Sequence, residues 1–105
     1  MPHITALTND EMVAALAGLP GWRLQEGKLQ RTFKFRSFAV AFGFMTQIAI
    51  EAEAMDHHPE WWNVYNRVGI ALVTHSAGNL VSALDVALAH KIDSAAALAA
   101  GGSGA

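Results

Sequence analysis

Two adjacent histidines, His57 and His58, stand directly before Pro59 in the stretch "AEAMDHHPEWWNVYN", and His75 lies seventeen residues after the second of them. Imidazole gives and takes protons near neutral pH, so three of these rings brought together would supply both a general acid and a general base. Nearby acids, Glu53 and Asp56, and Asp85 ten residues past His75, could hold a ring in one tautomer. A structural reading carries equal weight at this point: a corner whose histidines are satisfied by neighbours, with Asp85 placed only to match a helix dipole.

Other chemistries fit less well. Three histidines can bind zinc with an open fourth position. Adjacent residues at a corner point apart, however, and no HxH, HxxxH or HExxH spacing aims two rings at one ion, so no metal is expected. Ser37, Ser76 and Ser82 sit in no nucleophile elbow and read as caps or loop residues. The absence of cysteine removes thiolate ligands, a disulfide framework and a cysteine nucleophile. Trp22, Trp61 and Trp62 could stack on a flat heteroaromatic ligand, or fill the core or an oligomer seam.

The elements that must position these residues belong to one compact domain, 1–105, given 105 residues with 52% hydrophobic and 15% charged composition. A net charge of -2 supplies no basic footprint, so neither direct nucleic-acid contact nor binding to an anionic membrane is expected. The opening "MPHITALTNDEM" lacks the basic and apolar regions of a secretory signal. The nearest approach to a membrane span, Phe38 to Ile50, reads as too short. A cytoplasmic address is the expectation.

"TNDE" reads as a capping box that opens a helix at Thr8, stopped by Gly18 and Pro20. "GWRLQEGKLQRTFKF" reads as two strands around a Glu26-Gly27 turn, with Leu29, Arg31, Phe33 and Phe35 on one face. Ser37 caps the main helix, whose predicted core stripe is Phe38, Ala41, Phe42, Met45, Ile48, Ala49, Ala52 and Met55. Val40 and Ile50 fall off that stripe and suggest a second buried face against a partner subunit. Pro59 disfavours helix at His58, so the helix should end near Asp56. "WNVYNRVGIALVTH" reads as a second strand pair with Val68, Ile70 and Leu72 inward. A last helix follows, with Leu80, Leu84, Ala87, Leu88 and Ile92 as its stripe, and about 94–105 reads as a flexible tail. The order α-β-β-α-β-β-α predicts an α+β, two-layer fold: a four-stranded antiparallel sheet with three helices on one face.

"EAEAMDHHPEWWNVYNRVGIALVTH", led by "FAVAFGFMT", resembles the pterin-4a-carbinolamine dehydratases, and the likeness covers Trp22 to about Ala89. The resemblance implies dehydration of 4a-hydroxytetrahydrobiopterin to quinonoid dihydropterin plus water, in tetrahydrobiopterin recycling, with no cofactor. It also implies a homo-oligomer, either a dimer that extends the sheet or a tetramer built through the central helix. By position, His57, His58 and His75 match the family's active-site histidines, and Pro59, Thr74, Ser76 and Ala77 match residues around the pterin. Glu53 and Asp85 match supporting acids, and Trp22 an aromatic residue near the pocket. On this assignment His57 donates a proton, His75 accepts one, and His58 binds the pterin. The alternative is a protein-interaction module or transcriptional dimerisation cofactor with a vestigial site; the resemblance implies such a partner role because the family's animal members combine it with the enzyme activity.

Two departures from the family pattern stand out. Nine residues, Ser76 to Leu84, separate His75 from Asp85, where family members commonly have eight, and Ser76 replaces an acidic residue.

Overall fold

The structure, a computed structural model, describes residues 4–100. Helix α1 spans Asn9–Ala17 and opens on the expected capping box: Glu11 N–H donates to Thr8 Oγ1, and Thr8 N–H to Glu11 Oε1. Strands β1 (Arg23–Gln25) and β2 (Lys28–Lys34) form a hairpin. Its two turn residues, Glu26 and Gly27, both take positive φ, 55° and 77°, as a two-residue turn matched to strand twist requires.

Helix α2 (Phe38–Met55) is capped by the Ser37 side chain, which accepts from Val40 N–H. Strands β3 (Glu60–Val64) and β4 (Arg67–Leu72) follow, then a 3-10 turn at His75–Ala77 and helix α3 (Ala83–Ala99). The sheet is antiparallel throughout in the order β1-β2-β4-β3. Three helices and a four-stranded antiparallel sheet in the order α-β-β-α-β-β-α are the α+β fold that the sequence predicts.

The central strand β4 buries Val68, Ile70 and Leu72, as its alternation predicts. Phe44 of α2 lies between Phe33 and Phe35 of the second strand region, at ring-centroid distances of 5.2 and 4.8 Å. These contacts decide the orientation of α2. Its buried residues are Ala41, Phe44, Ile48 and Ala52, with Val40, Met45 and Met55 partly buried against the core. Phe38 and Phe42, expected in the core stripe, are 51% and 55% exposed, and Ala49 is exposed too. Val40 therefore packs inside its own chain, whereas Ile50, at 61%, does face outward.

Helix α2 also corrects a second expectation. At 18 residues with mean hydropathy 1.3 it is long and apolar enough to cross a membrane by length and composition, although one side of it serves the core here. In α3 the buried stripe is Asp85, Leu88, Ala89, Ile92 and Ala95. Leu80 lies before the helix and is exposed, and Ala87 is exposed as well. The stretch 94–99, expected as tail, continues α3, because alanine is the strongest helix former and Ala95 reaches the core. The rest of that predicted tail, 101–105, lies outside the described residues.

Candidate active site

The end of α2 sets the histidine pair. Asp56 closes the helix in the left-handed conformation, with φ 51°, and its N–H returns to Ala52 and Glu53 carbonyls. His57 N–H also returns to Ala52 O, so the chain turns sharply before Pro59 and sends the two imidazoles opposite ways.

His57 goes inward. It is 8% exposed, and its Nε2 lies 2.6 Å from Oδ1 of Asp85, a carboxylate buried completely. Asp85 sits at the third position of α3, in a capping box with Ser82: Ser82 N–H donates to its Oδ2 at 2.8 Å. Thr74 Oγ1 donates to the same Oδ2 at 2.7 Å and lies 2.7 Å from Ser82 Oγ. Asp85 thus receives donors from the β4 exit, the start of α3 and the end of α2. As a carboxylate it only accepts, which places the hydrogen of neutral His57 on Nε2. The His57 side chain keeps 10% of its surface, and no buried side-chain nitrogen or oxygen among the described residues lacks a partner. Nδ1 is therefore the ring atom left for solvent and substrate.

His58 goes outward. Its Nε2 lies 2.8 Å from Glu53 Oε1, with side chains 57% and 81% exposed. Water screens such a pair, so it orients the ring without adding much stability. His75 opens the 3-10 turn and is exposed, with Nδ1 2.6 Å from Asn79 Oδ1. An amide oxygen accepts only, so Nδ1 carries the hydrogen and Nε2 presents its lone pair outward.

The loop between His75 and Asp85 closes through consecutive left-handed residues, Gly78 and Asn79 at φ 75° and 60°, and through a Thr74–Leu80 bridge. Leu80 is left exposed at the surface, and Asp85 still meets His57.

Among the residues expected at the site, His57, Thr74 and Asp85 meet directly, and His75 follows Thr74 in the chain. The Thr74 hydroxyl turns inward to Asp85. Pro59 is half-buried beside His58, Ser76 is exposed, and Ala77 is half-buried in the 3-10 turn. Trp22 does not join them. It is buried edge-on against Phe33, and its indole N–H donates to Asp93, about 12 Å along α3 from Asp85 at 1.5 Å per residue. Sequence reasoning misses Ser82 and Asn79 as partners of the site, although the S-x-x-D frame at 82–85 is a legible capping signal.

Two cavities lie away from the histidines. One of about 470 Å³ on the open face of the sheet includes Arg23, Thr32 and Trp62. The other, about 690 Å³, lies between α2 and α3 by Val40 and Lys91. Neither holds a titratable pair of the His57–Asp85 kind. No three His, Asp or Glu side chains among the described residues gather as a metal cage.

The family model described as pterin 4 alpha carbinolamine dehydratase matches residues 5–95. Proteins of Brucella ovis and Brucella canis, provisionally named pterin-4-alpha-carbinolamine dehydratases, are 50% identical over 92 residues, covering 86% of this chain and 94% of theirs. A crystal structure from Brucella melitensis, described as a transcriptional coactivator/pterin dehydratase, superposes with a TM-score of 0.84 at 49% identity. That superposition covers 88% of this chain and 99% of that one. With the match running through both histidine-bearing segments and the carboxylate between α3 and the sheet, the chain belongs to the pterin-4a-carbinolamine dehydratase family.

Proposed function

We propose that the protein dehydrates a 4a-hydroxytetrahydropterin, such as 4a-hydroxytetrahydrobiopterin, to the quinonoid dihydropterin and water, as a step of tetrahydropterin recycling. The observation that carries this reading, beside the family, is the sharing of one buried carboxylate by His57 and by the residue preceding His75. It supports two imidazoles held at one corner with different free atoms.

The reaction breaks the C4a–O bond and forms the C4a=N5 double bond. A proton must reach the leaving hydroxyl, and the N5 proton must be taken up. His57 suits the first of these transfers, because Asp85 holds its Nε2–H and leaves Nδ1 facing outward, the atom from which a proton can pass to the leaving hydroxyl. His75 suits the second, since its bond to Asn79 leaves Nε2 as a free acceptor. Both rings then exchange protons with water and reset. His58, aimed by Glu53, binds the pterin ring, and Pro59, Ser76 and Ala77 border it.

The test is stopped-flow measurement of dehydration, following the quinonoid product. Wild type is expected to accelerate the reaction, and His57→Ala and His75→Ala each to lose roughly a hundredfold or more of that acceleration. No acceleration by folded protein over the spontaneous rate sinks the proposal.

The second reading, an interaction protein, is favoured by Phe38, Phe42 and Ile50, all more than half exposed on α2. The same face supports assembly of several copies, so both uses can coexist with catalysis. Sedimentation velocity on wild type and Phe42→Glu decides the assembly: a smaller particle is expected for the variant, and an unchanged mass argues against this face.

A further inference from the structure

We propose that Ser82 and Thr74 are positioning residues for His57, joined in a one-way hydroxyl chain that fixes which oxygen of Asp85 receives the imidazole. The catalytic consequence rests on the function proposed above, whereas the geometry does not. The direction of the chain follows from donor counting. Leu84 N–H donates to Ser82 Oγ at 3.2 Å, and the Thr74 hydroxyl hydrogen is committed to Asp85 Oδ2 at 2.7 Å. Thr74 Oγ1 can then only accept from Ser82, so the Ser82 hydroxyl donates across their 2.7 Å contact.

The result is asymmetric. Oδ2 of Asp85 takes two donors, Thr74 Oγ1–H and Ser82 N–H, while Oδ1 is left for His57 Nε2–H alone. All members are buried: Thr74 at 3%, Ser82 and Asp85 at 0%, and His57 at 8% exposure. Water cannot readily replace a missing donor there, so the protein's own hydroxyls decide the geometry. Thr74 has a second duty. Its N–H donates to Leu80 O at 3.0 Å, which closes the loop carrying His75. One residue thus ties the orientation of His57 to the base of the His75 loop.

Thr74→Val keeps the shape and the backbone bond but removes the donor, and Ser82→Ala removes only the upstream donor. Nitrogen-15 NMR of the histidine rings in the full chain reads both the tautomer of His57 and, through the Nε2 nitrogen and proton shifts, its hydrogen bond to Asp85. Asp85 still accepts in every variant, so all are expected to keep Nε2–H; Thr74→Val should shift the Nε2 nitrogen and proton resonances as the freed carboxylate turns, Ser82→Ala should shift them less, and Thr74→Ser should leave them at the wild-type positions. In the dehydration assay Thr74→Val should lower kcat roughly ten- to hundredfold, the scale of a hydrogen bond to a charged group, and displace a limb of the pH-rate profile. Should Thr74→Val fail to fold, Ser82→Ala carries the test. A wild-type ring spectrum and pH-rate profile in a folded variant, whatever its stability, overturns the proposal. If wild type catalyses no dehydration, the proposed function falls, and the ring spectra still decide the positioning.

Discussion

Helix α3 presents two carboxylates to distant parts of the chain, and they serve opposite ends. Asp85 is wholly buried and meets the titratable ring of His57, 2.6 Å away. Asp93, eight residues on and with 27% of its side chain exposed, accepts from Trp22 Nε1 at 2.8 Å and Arg31 Nη1 at 3.1 Å. Arg31 also reaches Pro20 O and lies over the Phe33 ring at 4.4 Å. Indole and guanidinium do not exchange protons near neutral pH, so the Asp93 cluster clasps the α1–β1 connection, the sheet and α3 together and goes no further. A carboxylate facing an imidazole can orient a proton. The contrast teaches that a buried acid acquires chemical meaning from the donor opposite it.

The strongest way to break that contrast is Asp85→Asn. The amide fits the space but offers hydrogens where two donors already point, so His57 loses its fixed tautomer. We expect kcat to fall on the order of a thousandfold, within the range that a positioned general acid–base group supplies, with the fold retained by circular dichroism. A rate within a few-fold of wild type would reduce Asp85 to a helix cap.

Asp93→Ala sharpens the other side. It strands the buried indole N–H of Trp22 and releases Arg31, and a stranded donor costs about 2 kcal/mol, read as a lowered urea midpoint. The ion pair adds little to this, because both side chains are roughly one-third exposed. kcat and KM for dehydration should stay at wild-type values. A raised KM would instead return Trp22 to the wall of the substrate site.

The same division governs how much is legible in the sequence. Signals that act within a few residues are plain there: the Thr8 and Ser37 caps, the Glu26-Gly27 turn, and the stop before Pro59. The orientation of α2 is not legible, because its 18 residues carry apolar side chains nearly all round. Phe44 faces inward since Phe33 and Phe35 wait for it on the sheet, a fact held in another part of the chain. The run "AAALAA" misleads because small residues before glycines look like linker, although alanine favours helix. At the site, residue types and family spacing point to His57 and Asp85. The Ser82–Thr74 link requires the β4 exit and the start of α3 to be placed side by side, which no local pattern encodes.

The smallest expected effect lies in the clasp. Gly21 adopts φ +90°, and a Cβ there would stand 2.9 Å from Arg31 Cζ. Gly21→Ala therefore meets a left-handed backbone penalty and presses on the guanidinium, a combined cost of about 1 kcal/mol when the flexible Arg31 side chain gives way. Part of that cost should vanish in an Arg31→Met background, where the contact is softer and the Asp93 bond is already gone. Equal destabilisation in both backgrounds would mean that the backbone conformation alone holds the glycine, leaving the clasp to Trp22 and Asp93. Dehydration rates should not change in either background, since every atom disturbed lies on the Asp93 side of α3.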